Sequence, residues 1–199
     1  TYCIIRYVNA TGVSSASGCR VINISGSPTS PSTNNLISNN VVRGGLRGIQ
    51  DFGFTAPTFI NSNNIISNND VADFNNLGIL VAANTGCLVT QNRVHSVTPV
   101  AVSTTSFAAI QVQTSSNITI SQNIIDSIST SNAAATPFFL LVDFGSGSII
   151  KNNKITNVVG TAFISQISGT QLSGTSTIYS DNEISNISLS RASSRSSTV

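Results

Sequence analysis

The sequence predicts an all-β chain wound as a parallel β-helix, and three observations carry that prediction. A short phrase recurs six times: branched or apolar residues, a polar residue, a pair ending in Asn, and an apolar residue two places on. It reads Leu36-Ile37-Ser38-Asn39-Asn40-Val41-Val42, Ile65-Ile66-Ser67-Asn68-Asn69-Asp70-Val71, Leu88-Val89-Thr90-Gln91-Asn92-Arg93-Val94, Ile120-Ser121-Gln122-Asn123-Ile124-Ile125, Ile150-Lys151-Asn152-Asn153-Lys154-Ile155 and Tyr179-Ser180-Asp181-Asn182-Glu183-Ile184. The final Asn residues are spaced 29, 23, 31, 30 and 29 apart, a period in the range that marks a solenoid. The residues between the apolar positions are Ser, Thr and Asn rather than the Ala, Glu, Lys and Leu that the outside of a helix requires.

With the last Asn of each copy as origin, the apolar positions form columns. Three places before it stand Ile37, Ile66, Val89, Ile120, Ile150 and Tyr179, and two places after it Val42, Val71, Val94, Ile125, Ile155 and Ile184. Five places after it come Gly45, Phe74, Val97, Ile128, Val158 and Ile187, apolar everywhere but at Gly45. β-Branched residues separated by polar ones read as strand with one buried face. A second apolar segment follows in later copies: Gly78-Ile79-Leu80-Val81, Ala109-Ile110-Gln111-Val112, Phe138 to Val142 and Ala162-Phe163-Ile164.

Three short strands in each repeat make one coil, and each strand pairs with its equivalent in the next coil at about 4.8 Å. About seven coils of roughly 23–37 residues are expected, as one domain over residues 1–190. Stacking sets Asn40, Asn69, Asn92, Asn123, Asn153 and Asn182 above one another as a structural ladder of side-chain amides lining a turn. Residues 191–199 are a polar Ser/Arg-rich tail. The opening residues, from Cys3 to Val8, fit the second half of a coil, so a piece of a longer polypeptide is expected.

These repeats resemble the right-handed parallel β-helix superfamily, the pectate-lyase-like repeats of secreted polysaccharide-acting enzymes, phage tailspikes and bacterial surface proteins. The resemblance runs from about Tyr2 to Ile187, and the Ser/Asn/Thr-rich, charge-poor style is similar to that of secreted bacterial surface proteins. It implies a right-handed coil and an extracellular or cell-surface location.

Composition narrows the function classes. The 199 residues are 40% hydrophobic and only 8% charged, with net charge +2. The basic residues form no cluster and no run interleaved with aromatics, which argues against nucleic acid. No apolar stretch is long enough to span a bilayer. Abundant hydroxyls and amides with little charge suit an extracellular surface. Three cysteines, Cys3, Cys19 and Cys87, are an odd number and read as buried unpaired thiols acting as small core residues, with a bridge between Cys3 and Cys19, which share the first coil, as the alternative.

Chemistry is sparse. Cleaving a glycosidic bond takes two carboxylates about 5 to 10 Å apart, and calcium-assisted elimination takes a cluster of carboxylate oxygens. The acids are seven: Asp51, Asp70, Asp73, Asp126, Asp143, Asp181 and Glu183. Stacking scatters them along the axis, and none of the local motifs used by hydrolases or lyases of the family is present. The register does set Asp70 beside Arg93, His95 beside Asp126 and Lys154 beside Glu183, all facing solvent. His95 and Asp126 are thus the weak catalytic candidates, with a surface hydrogen bond as the plainer reading. No metal site and no cofactor are expected. Asp51-Phe52-Gly53 and Asp143-Phe144-Gly145 match a kinase metal-binding triplet without its context and read as strand ends with a Gly turn. The loops from Thr98 to Ser106 and from Ser129 to Pro137 are the longest excursions.

The leading reading is a non-catalytic extracellular β-helix scaffold or adhesion module that contacts polysaccharide or cell-surface glycan, as part of a larger polypeptide or assembly. A polysaccharide lyase or glycoside hydrolase is the rival, and a structural stalk or tailspike shaft the third.

Overall fold

The computed structural model describes residues 3–6, 8–12, 19–54, 60–96, 106–130, 136–160 and 176–189. They form strands and turns with no helix, and every strand pairing is parallel. The chain is a parallel β-helix.

The first coil consists of Ile4–Arg6, Asn9–Gly12 and Arg20–Ser25, and the second of Leu36–Ser38, Val41–Gly44 and Arg47–Phe52. The third contains Ile65–Ser67, Asp70–Ala72 and Leu77–Ala82, the fourth Leu88–Thr90, Arg93–His95 and Ser106–Ser116, and the fifth Thr119–Ser121, Ile124–Asp126 and Thr136–Ser146. Ile149–Lys151 with Lys154–Gly160, then Ile178–Ser180 with Glu183–Leu189, begin a sixth and a seventh. The first strands of the coils stack as one sheet, the second strands as another and the third strands as a third. Among the described residues five turns therefore close through all three sheets, fewer than the seven expected, and Ala162 to Ile164 lie outside them.

The register follows the repeat. Ile5, Ile37, Ile66, Val89, Ile120, Ile150 and Tyr179 are successive partners in the first sheet. Ala10, Val42, Val71, Val94, Ile125, Ile155 and Ile184 are successive partners in the second. From Ile37 to Ile150 and from Val42 to Ile155 these side chains are buried in one continuous core with Phe74, Ile128 and Val158. In the last coil Tyr179 and Ile184 are exposed. At fully buried positions each aliphatic side chain contributes on the order of 1.5–3 kcal/mol, which is ample reason for the register not to slip.

The two members of each amide pair do different work. The first, at Asn39, Asn68, Gln91, Gln122, Asn152 and Asp181, has φ between 55° and 58°, the left-handed conformation that turns the chain from the first sheet into the second. Asn and Asp enter that region at less penalty than other side-chain-bearing residues. The second member turns its amide inward.

Where the chain enters the third sheet, two consecutive residues face the core. Gly48, Gly78 and Ala109 hold the first of these places, and Ile49, Ile79 and Ile110 the second. A Cβ on Gly78 would stand 2.5 Å from the Ala109 carbonyl oxygen and 2.7 Å from Val94 Cγ1, so this place takes a small residue. The outward residues Leu77, Leu80, Ala82 and Ala108 are buried too, in a separate small cluster with Phe52. Asp51-Phe52 ends its strand as expected, whereas Asp143 to Gly145 falls inside Thr136–Ser146 and not at its end. Most of the two long loops, residues 97–105 and 131–135, and the tail 191–199 lie outside the described residues.

Candidate functional site: a charged ridge on the second sheet

The positions one and three places after the origin Asn flank an inward residue, so they form two neighbouring columns on the second sheet. One contains Val41, Asp70, Arg93, Ile124, Lys154 and Glu183, and the other Arg43, Ala72, His95, Asp126, Thr156 and Ser185. His95 and Asp126 are backbone partners, as are Arg93 and Asp70. Their side chains nevertheless pair across the columns. His95 Nε2 lies 2.6 Å from Asp70 Oδ1, and Arg43 Nη2 donates to Asp70 Oδ2 at 2.6 Å. Arg93 grips Asp126 through both oxygens, Nε at 3.1 Å and Nη2 at 2.9 Å.

The expected pairing of His95 with Asp126, and of Asp70 with Arg93, is thereby corrected. A guanidinium fork matches both oxygens of a carboxylate, which an imidazole cannot do, so Asp126 goes to Arg93 and His95 to Asp70. The expectation of full solvent exposure is corrected as well, since the His95 side chain is only 7% exposed. Lys154 and Glu183 do pair directly, at 3.0 Å.

Electrostatics follow from these contacts. Partial burial pushes the Asp70 carboxyl up, but the hydrogen bonds and charges of Arg43 and His95 outweigh it and hold the group below the usual carboxylate range. The hydrogen bond to Asp126 raises Arg93 further above its ordinary value. Glu183 is lowered by its bonds to Lys154 and Ser185. Arg43 also ties the ridge to the backbone, donating through Nη1 to the Asp70 carbonyl at 2.9 Å and the Val42 carbonyl at 3.0 Å.

Chemically, the ridge offers one imidazole whose carboxylate is already held on its other oxygen by an arginine. Asp126, the other nearby acid, has both oxygens on Arg93. General acid catalysis paired with a base or nucleophile would require one of these carboxylates to leave its cation. Among the described residues no group of three His, Cys, Asp or Glu side chains is placed to hold a metal ion.

The six origin asparagines come together in one column, buried at Asn40, Asn69, Asn92, Asn123 and Asn153. From Asn69 to Asn182, each Oδ1 accepts both the backbone N–H and the side-chain Nδ2–H of the Asn one coil earlier, at 2.8 to 3.1 Å. The second amide hydrogen goes to a core-strand carbonyl of the preceding coil, from Ile5 to Ile150, at 2.9 to 3.1 Å. In the first coil Val8 stands at the Asn position, and its backbone N–H donates to Asn40 Oδ1 at 3.0 Å.

One buried acid escaped the sequence reading. Asp51 belongs to the inward column of the third sheet, in register with Ile24 and Val81, and is fully buried. Asn61 Nδ2 donates to one of its oxygens and Asn64 Nδ2 to the other, both at 2.8 Å. Desolvation raises its pKa despite these bonds. The signal was available: Ile49-Gln50-Asp51 aligns with Ile79-Leu80-Val81 and Ile110-Gln111-Val112, which places the carboxyl where a valine belongs. Burial, and then the nearby Asp51 charge, push the Cys87 thiol well up. All three cysteines are unpaired, so Cys3 and Cys19 do not bridge; Cys87 alone is buried, Cys3 is exposed and Cys19 is intermediate.

No protein-family model matches the chain, and no curated protein matches it in sequence. Among solved structures it is similar to two of PfbA, a surface protein and adhesin of Streptococcus pneumoniae. One shares 13% identity at a TM-score of 0.44, over 79% of this chain and 49% of that one. The other shares 14% identity at a TM-score of 0.45, over 80% of this chain and 45% of that one. The chain thus spans about half the length of those proteins.

Proposed function

We propose that this chain is a rigid, non-catalytic β-helix segment that works at a cell surface or outside the cell as a scaffold for adhesion, with glycan contact as its finer role. The observation that carries this reading is how the polar groups are used. The amides form a continuous internal column along the axis, and the carboxylates that could have done chemistry are held by structural partners: Asp70 by Arg43 and His95, Asp126 by Arg93, Glu183 by Lys154 and Asp51 by Asn61 and Asn64. Low charge and a surface of hydroxyls and amides support an extracellular setting.

The test is to incubate the purified chain with neutral and acidic polysaccharides and watch for new reducing ends or unsaturated uronates. The expected result is none. Cleavage abolished by His95→Ala would replace the scaffold with an enzyme centred on the ridge. Cleavage that survives His95→Ala would place an enzyme elsewhere on the chain.

A further inference from the structure

We draw no further inference here: the strongest candidate, the aliphatic column that Leu36, Ile65, Leu88 and Ile149 form along the outer face of the first sheet, is a surface patch for which nothing in the structure shows what covers it.

Discussion

The His95 imidazole and the Asp70 carboxylate meet at 2.6 Å between adjacent coils, and Arg43 holds the other Asp70 oxygen at the same distance. Three coils are thereby cross-linked on one face by a single carboxylate: Arg43 from the second, Asp70 from the third and His95 from the fourth. A carboxylate bound on both sides has its geometry fixed and little freedom to take a proton from a substrate.

Asp70→Asn should reduce stability by roughly 1 kcal/mol at pH 7, a modest figure because the carboxylate is partly solvated and screened. The folded pKa of Asp70 is depressed, so its contribution is present above the unfolded value of about 3.9 and is lost as pH falls through the folded value. Urea melts of both chains should differ at pH 7 and draw together in acid, as pH falls below the unfolded value and on through the folded one. A difference that persists unchanged at the lowest pH would mean that packing, not the charge, is what Asp70 supplies.

The amide column gives a sharper contrast within one pair. Asn92→Ala removes the acceptor of Asn69 and the donor to the Ile66 carbonyl and Asn123 in a fully buried setting, so about 3–5 kcal/mol should be lost. At the neighbouring Gln91, with φ at 57°, the requirement is conformational. Gln91→Gly should lie within about 1 kcal/mol of the native chain, and Gln91→Val should cost on the order of 1–3 kcal/mol. Chemical melts on the three variants check this, and similar losses for Gln91→Gly and Asn92→Ala would mean the two positions do not have separate roles.

Packing separates the two faces of one strand. Ile125 is fully buried between its partners Val94 and Ile155, so Ile125→Ala should cost about 2–4 kcal/mol. Asp126→Ala, one residue on, removes an ion pair to a half-exposed arginine and should cost under about 1 kcal/mol. Equal losses in denaturant melts would contradict the assignment of faces.

Periodicity made the fold legible, because a buried column repeated at fixed offsets from Asn40 to Asn182 allows one register and one inward face. Column membership also located the charged ridge. Partner choice was hidden, since residues in adjacent columns can bond straight across or diagonally, and the outcome turned on whether Arg93 or His95 better matched both oxygens of Asp126. Burial of His95 was hidden as well, because alternation reports which side of a strand a residue takes, not what lies over it. Asp51 was missed for a different reason. The third-sheet segments are joined by connections of unequal length, so the copy Ile49-Gln50-Asp51 is harder to align than the Asn-marked turn, although its inward column was already defined by Ile79 and Val81.

Asp51 supports a prediction whose pH dependence runs opposite to that of Asp70. Asn61 Oδ1 accepts the Ser32 backbone N–H at 2.8 Å, and Asn64 Oδ1 accepts the Asn35 backbone N–H at 2.8 Å. Neither amide is free to flip, so each must present its Nδ2 hydrogens to Asp51. Asp51→Asn would turn an N–H toward one of them, leaving a buried donor unsatisfied at a cost of about 1–3 kcal/mol. The native chain has its own difficulty, because desolvation raises the folded pKa of Asp51 above its unfolded value. For a raised acid the stabilisation is complete below the unfolded pKa of about 3.9 and is lost as pH rises through the folded value. The gap between the native chain and Asp51→Asn should therefore be widest near pH 3 and narrow toward pH 7. Guanidinium melts of both chains across that range decide it, and a gap that widens toward neutral pH would show that Asn61 and Asn64 hold Asp51 ionised against its burial.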